Sequence, residues 1–473
     1  MKAQVLSSQV VRVTGVPTSG ARTRALEQYS CGSMQWDVPP SRRDLLQGLV
    51  PDALMDMAER APLSHQEQDV NVPADLWDSM YAYQKDGVRR IVHQFKGRCL
   101  LADEMGLGKT MQAVAVLLHY DCPSLVICPS FLQTNWRRAL EPYTDKVQVC
   151  SYGQVPADGA YGAVVVDEAH YLKSLESQRT QQILPLLLRA PKVVLLSGTP
   201  CPNRPEELYA LLSALRPKLV RTFTEFAHRY CRPRRTPFCH FDTRGSDRPD
   251  ELKWLLGRGF WVRRTKAEVL PQLPAKRMQV LHCDADPCCA LELGRLQGKL
   301  DTAMARGSKL AQTLITEMYR ETARAKTDSA VQLVVSRLAA LQDPVIVFAH
   351  HRSVLDALQA GMPPGLTVAR IDGGTPVRRR QAIVDQMQEG QLDVALLSMA
   401  AAGVGLTMTR ACTAYFAEIP WCPAVLRQCE DRIHRIGQLS QCNIYYILAH
   451  GTLDAHVWRT IHRKERVAVR IGQ

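Results

Sequence analysis

Two blocks of strand-length apolar runs, separated by chain of a different character, limit what this sequence can fold into. The first block holds Cys99–Ala102, Leu125–Cys128, Ala163–Val166 and Val193–Leu196; the second holds Val345–Phe348, Val394–Leu397, Ala414–Glu418 and Ile444–Ala449. Each run is apolar throughout rather than alternating, as strands buried on both faces are, and enough chain lies between runs for a helix. The expected class is therefore α/β, with two lobes, each a parallel sheet covered by helices. Between the blocks, residues 288–341 are rich in Ala, Leu, Arg and Glu with almost no turn signals, and read as long helices. Residues 218–258 read as helices around an Arg/Pro-rich surface loop, Arg232–Arg248, while Pro271 and Pro274 mark the crossover between lobes. The expected division is 1–75 as a small N-terminal appendage, with Trp36 and a helical-looking Arg42–Arg60, and 76–268 as the first lobe with a helical insertion. Residues 269–340 are the crossover and a second helical insertion, and 341–473 the second lobe with its C-terminal helix.

A chain of 473 residues, 46% hydrophobic, has the length for two or three domains and the apolar content for large cores. Its formal charge of +13 points to a polyanionic partner, most simply nucleic acid, although a basic surface also serves solubility. The fifteen cysteines are odd in number, contain no Cys-x-x-Cys pair and often sit in apolar runs, which fits reduced, buried thiols. Cys283, Cys288 and Cys289 cluster, but at a spacing that matches no common metal site. The amino terminus lacks the apolar core of a secretory signal, and no apolar run is long enough to suggest a membrane span.

Phosphate chemistry is written at the ends of the predicted strands. Asp103-Glu-Met-Gly-Leu-Gly-Lys-Thr110 follows the first strand and precedes a predicted helix over Met111–Tyr120. Gly106 and Gly108 let the backbone approach an anion, and the helix N-terminus adds positive potential. Lys109 is the candidate for neutralising the β- and γ-phosphates of ATP, and the Thr110 hydroxyl for binding Mg²⁺. The strict form of such a loop asks for glycine where Asp103 stands. Asp167 and Glu168 end the strand Ala163–Val166; Asp167 would hold the metal, and Glu168 would orient or deprotonate the attacking water. An acidic turn capping a helix is the plainer reading of that pair. Ser197-Gly-Thr-Pro200 closes the next strand and is a candidate coupling element, or an ordinary turn. Gln84, upstream of the loop, is a candidate adenine contact, although most such glutamines are simply solvated. In the second half, Arg432 and Arg435 stand at i, i+3, expected on one helix face from which both could reach a γ-phosphate across a cleft. A basic helix paired with Glu430 and Asp431 is the alternative.

The order Gln84, Asp103–Thr110, Asp167–His170, Ser197–Pro200, Ala401–Thr407 and Gln428–Gln438 resembles a superfamily-two helicase-type motor. Asp-Glu-Met-Gly-Leu-Gly-Lys-Thr and Arg-Ile-His-Arg-Ile-Gly-Gln are the forms of its SWI/SNF-like branch of DNA translocases, in which aspartate is usual at the place of Asp103. Val262–Lys276, Val347–Arg352 and Arg370–Thr375 resemble the annealing-helicase (HARP-type) subgroup, whose members rewind DNA and remodel stalled replication forks. The resemblance covers about residues 76–465 and implies two RecA-like lobes, ATP and Mg²⁺ as cofactors, and DNA, duplex or fork, held mainly through its phosphate backbone. It gives Lys109, Thr110, Asp167, Glu168, Arg432 and Arg435 the roles above, and sets Gln84, Asp103, Gly106, Gly108 and Gln428 against the nucleotide. Tyr29–Trp36 resembles the end of a HARP module. Gly374 and Cys422 replace residues usual in the branch, serine and asparagine, at positions that spare the phosphate chemistry. A monomer is expected, nuclear in a eukaryote and cytoplasmic otherwise, with protein partners left open. A nucleosome remodeller, a general duplex translocase, a strand-separating helicase and an inactive DNA-binding scaffold are the competing readings.

Overall fold

The computed structural model describes residues 2–7, 10–14, 29–32, 35–41, 43–46, 49, 50, 54 and 69–471, apart from 158, 200–203, 220, 221, 237, 238, 306–309, 339–342 and 403–405. The apolar runs are strands, and they gather into two six-stranded sheets. In chain order the first lobe contributes β5 (Arg98–Leu101), β6 (Ser124–Cys128), β7 (Val147–Ser151), β8 (Ala163–Val166), β9 (Lys192–Leu196) and β12 (Trp261–Val262). They lie in the order β12-β5-β9-β8-β6-β7, every pairing parallel. Burial on both faces explains the continuous apolar code. Cys99 and Leu101 pack into one core cluster while Leu100 packs into the other.

The second lobe repeats the plan with β13 (Lys276–Cys283), β14 (Val345–Ala349), β15 (Val368–Ile371), β16 (Val394–Ser398), β17 (Thr413–Phe416) and β18 (Cys442–Ala449). Their order is β13-β18-β17-β14-β16-β15, again all parallel. β13 falls in the stretch read as crossover, yet it pairs with β18 over its full length. It is an edge strand with much of its surface exposed, so it carries no continuous apolar run. The long helices expected between the blocks are Pro287–Ala305 and Leu310–Leu338, packed on each other.

In the described part of the appendage, β1 (Lys2–Val5), β2 (Val11–Thr14), β3 (Ser30–Gly32) and β4 (Gln35–Val38) form an antiparallel sheet in the order β1-β2-β4-β3. Val5, Val11, Val13, Val38 and Leu46 join the same core cluster as the first lobe. Tyr29 and Trp36 lie in this sheet region, whereas the helix expected over Arg42–Arg60 is described only at Arg43–Leu46; the rest lies outside the described residues. The segment read as a loop over Arg232–Arg248 contains an antiparallel hairpin, β10 (Arg234–Thr236) with β11 (Cys239–Asp242). Its strands are short and carry no continuous apolar run, which hid the pairing from composition. Among the described residues no group of three or more His, Cys, Asp or Glu is placed to hold a metal, and no helix is long and apolar enough to cross a membrane.

Candidate active site

The phosphate loop joins β5 to the helix Lys109–Tyr120, whose N-cap is Gly108 with φ +74°. An added side chain there would meet the Gln84 amide, its Nε2 2.3 Å from the Cβ position, so glycine serves both the left-handed backbone and the close approach. Gln84 is buried against the loop: its Nε2 donates to the Leu107 carbonyl at 3.1 Å, and its Oε1 accepts from Tyr81 N–H at 2.9 Å. Lys109 Nζ donates to the loop's own carbonyls, Asp103 at 2.9 Å and Glu104 at 3.4 Å. Burial pushes the Lys109 ammonium down, against the opposing pull of Glu168, Asp103 and Asp167. Thr110 follows it in the first helical turn.

The carboxylate of Asp103 is fully buried and held by Arg264, through Nε at 3.0 Å and Nη2 at 2.6 Å, and by Gln112 Nε2 at 2.9 Å. An aspartate at this position thus anchors the loop to the segment following β12. Arg264 also stacks over Tyr83 and donates to its carbonyl.

Asp167 and Glu168 sit at the end of β8 beside this loop. Trp136 Nε1 donates to Asp167 Oδ2 at 2.9 Å, and the Tyr152 hydroxyl donates to the backbone carbonyls of Asp167 at 2.7 Å and Glu168 at 3.1 Å. Glu168 takes a left-handed φ of +53°, a sparsely populated conformation for its residue type and one that clusters at functional sites. Burial, then the neighbouring Glu168 charge, raises Asp167 to about 6. Burial works the same way on Glu168, but His170, Lys109 and Arg432 together hold it below its ordinary value. Asp167, buried beside the Glu168 charge, is the carboxylate of the pair that a divalent cation would relieve.

His170 Nδ1 stands between Glu168 Oε2 at 3.1 Å and Ser197 Oγ at 3.3 Å. Ser197 follows β9 directly, and Gly198 lies against the phosphate loop, where a Cβ would stand 2.3 Å from Met105 Cγ and 3.4 Å from Lys109 Nζ. The expected coupling element therefore touches both the carboxylate pair and the loop; its Pro200 lies outside the described residues. So do residues 403–405 of the Ala401–Thr407 motif.

The second lobe supplies the arginines, but not from a helix face. The helix Pro423–Glu430 ends first, and Arg432 and Arg435 occupy successive turns beyond it. The cause is local. Arg432 Nε takes the Gln428 carbonyl at 2.9 Å, the acceptor a continuing helix would use, and the Arg432 N–H turns to Cys429 O at 3.1 Å instead. Arg432 is buried, also donates to Leu406 O at 3.3 Å, and has its pKa lowered by burial. Arg435 has its pKa lowered to about 10 by burial and by Arg432. Its Cβ lies 2.8 Å from where a Cβ on Gly106 would stand, so the arginine turn rests on the phosphate loop. Gln428 is buried and serves the site through its carbonyl.

Several contributors escaped the reading by motif. Trp136 acts through one hydrogen bond to the Asp167 carboxylate, and Tyr152 through its hydroxyl on the backbone carbonyls of Asp167 and Glu168. Arg264 and Lys266 lie more than 150 positions from the partners they hold. The one available signal was the charged run beside Val262.

The SNF2-related domain family matches residues 83–162 and 154–289, and the helicase conserved C-terminal domain family matches residues 325–437. The DNA annealing helicase and endonuclease ZRANB3 of Bos taurus is 36% identical over 439 residues, covering 84% of this chain and 41% of that protein. The SWI/SNF-related matrix-associated actin-dependent regulator of chromatin subfamily A-like protein 1 of Xenopus tropicalis is 34% identical over 471 residues, covering 93% of this chain and 50% of that protein. Its Caenorhabditis elegans homolog is 31% identical over 486 residues, covering 92% of this chain and 70% of that protein. The chain spans half or less of the length of the first two relatives.

Proposed function

This chain belongs to the SWI/SNF-like, annealing-helicase family of superfamily-two proteins, and on that premise we propose that it is a DNA-dependent ATPase that moves along duplex DNA. One observation carries the reading. Arg435, from the second lobe, packs on Gly106 of the phosphate loop in the first, so closure assembles one site from both halves.

In this reading the Lys109 ammonium meets the β- and γ-phosphates, Gln84 faces the adenine, and Gly106, Gly108 and Gln428 shape the wall around the nucleotide. Asp103 acts by fixing the loop through Arg264. Thr110 and Asp167 would hold Mg²⁺, which when bound would neutralise charge on the phosphate oxygens. Glu168, kept ionised by His170 and Lys109, accepts the proton of the attacking water. Arg432 and Arg435 stabilise charge developing on the transferred phosphoryl group, a contribution of roughly 10³–10⁵ in rate. Release of that charge loosens the contact between lobes, and alternating closure advances the protein along the phosphate track.

ZRANB3 is named a DNA annealing helicase, and we extend that activity to this chain, with reannealing and remodelling of forked DNA as the output and the nucleus as its place in a eukaryote. The division at residues 75, 268 and 340 belongs to the same proposal, with β13 assigned to the second lobe by its pairing.

The test is steady-state ATPase activity with no nucleic acid, RNA, single strand, duplex and a model fork, with Lys109→Ala as the blank. Stimulation by fork above plain duplex supports fork remodelling. Equal stimulation by any duplex leaves a general translocase, RNA-only stimulation overturns the branch assignment, and no activity leaves a DNA-binding scaffold.

A further inference from the structure

The hairpin β10–β11 is a charged element that the ATP site does not use. Arg232, Arg234 and Arg235 are exposed, and among the described residues no carboxylate pairs with them. The acid on the hairpin and the one bonded to its root have partners: Asp242 pairs with Arg244 at 2.6 Å, and Glu206 with Arg204 at 3.3 Å and with the Thr243 hydroxyl. Basic charge is therefore left over on the hairpin.

Aromatic surface lies beside that charge. Phe241 is 36% exposed, and its ring meets the exposed His228 ring edge-on, centroids 5.4 Å apart at 60°. The strands slip by one residue between Arg234 and Thr236, so His240 and Phe241 together oppose Arg235. A bulge of this kind re-aims side chains, and here it sets Arg235 opposite the His240–Phe241 pair in the ladder. A large exposed ring flanked by unpaired arginines suits a base with a free face and the phosphates on either side of it. Bases inside a duplex offer no such face.

The root of the hairpin is tied to the motor. Thr243 bonds to Glu206, which follows the Ser197–Thr199 tip of β9, and Lys173, three residues beyond His170, pairs with Glu207 at 3.7 Å. The helix Pro249–Gly259, which follows the hairpin, packs on the second lobe's last helix, Asp454–Ile471, so the hairpin springs from the region where the lobes meet.

We propose that the β10–β11 hairpin is a second DNA-contact site, taking unpaired nucleotides: Phe241 with His228 stacks a base, and Arg232, Arg234 and Arg235 hold the adjoining phosphates. The inference rests on the translocase reading and names the part of a forked substrate that this chain grips outside the duplex track.

The test uses the full chain without nucleotide and a duplex with a single-stranded overhang carrying 2-aminopurine, beside a blunt duplex of equal length. Phe241→Ala is expected to weaken overhang binding about tenfold and abolish the fluorescence change, leaving blunt-duplex affinity and duplex-stimulated turnover as in the wild type. Phe241→Tyr is expected to keep both. Arg234→Ala and Arg235→Ala should each lower the slope of log affinity against log salt on the overhang by about 0.7. Wild-type overhang binding by Phe241→Ala, or equal weakening on overhang and blunt duplex, overturns the proposal. If duplex fails to stimulate wild-type turnover while the Phe241→Ala defect on the overhang persists, the translocase reading falls and the hairpin site stands.

Discussion

Lys266 Nζ, in the last segment of the first lobe, donates to the Asp431 carboxylate and, at 2.5 Å, to the His434 carbonyl of the second. The backbone N–H of the same lysine donates to Glu104 Oε2 in the phosphate loop at 2.7 Å. One residue thus connects the loop to the turn that carries Arg432 and Arg435. Both side chains of the pair are buried, so the contact is shielded from salt and sensitive to geometry.

Lys266→Met is therefore expected to lower kcat about tenfold with KM for ATP nearly unchanged, since it misplaces groups used in the transition state. It also leaves Asp431 buried without its ammonium, a loss of about 3–5 kcal/mol for a fully buried pair. Adding Asp431→Asn should restore urea stability but not kcat. A rise in KM with kcat intact would instead place Lys266 in ground-state binding.

Gly106→Ala tests closure directly. The position has φ +85°, and the new methyl would collide with Arg435 Cβ, 2.8 Å away, which belongs to the opposite lobe. Binding of a fluorescent ATP analogue should survive within a few-fold, while turnover falls about 10²–10³-fold, as expected when an arginine finger is held off. Arg435→Ala should lose turnover to a similar degree, and the double variant should be no worse than either single one. Additive losses would mean that the two residues act separately.

Much of the fold was legible because parallel strands buried on both faces write uninterrupted apolar runs, as Leu125–Cys128 and Val345–Phe348 do. β13 was not legible, because an edge strand with half-exposed residues writes no such run. The phosphate loop and the carboxylate pair were readable since each is local in sequence. Arg264 with Asp103, and Lys266 with Asp431, are pairs across long separations, and one sequence holds no record of which distant charges meet. The helix expected through Arg432 stopped at Glu430 because a side chain captured a backbone acceptor, an event invisible to periodicity.

The raised Asp167 sets a pH dependence with a definite sign. Its folded value, about 6, lies above the ordinary carboxylate range, so the neutral form gains as pH falls toward 6 and below. Mg²⁺ needs the ionised form, so its affinity should fall about tenfold per pH unit below about 6 and level off above 7. Higher Mg²⁺ should move the midpoint downward. Trp136→Phe removes the Nε1 donor to Oδ2, which holds the ionised form, and should shift the midpoint upward at constant fold. Calorimetric Mg²⁺ titrations between pH 5 and 8, with circular dichroism as the structural control, read both effects. An unchanged midpoint in Trp136→Phe would remove the tryptophan from control of the carboxylate.

Glu251 governs how the appendage sits on the first lobe. Fully buried, it accepts from the Val5 N–H at 2.8 Å, from Arg229 at 2.6 and 2.7 Å and from the Tyr230 hydroxyl at 2.9 Å, and Arg229 reaches Leu49 O at 3.4 Å. A carboxylate can accept all four bonds, whereas the amide of Glu251→Gln must turn a donor toward Arg229 or the Val5 N–H. The amide variant should therefore lose about 2–3 kcal/mol, and Glu251→Ala about 3–5 kcal/mol because it strands the Arg229 charge. The ATP site draws no ligand from this cluster, so duplex-stimulated turnover should persist at permissive temperature. Limited proteolysis should then cut within residues 1–70 well before the lobes are attacked. Simultaneous loss of both lobes would show instead that the β1–β4 sheet is an inseparable part of the first core.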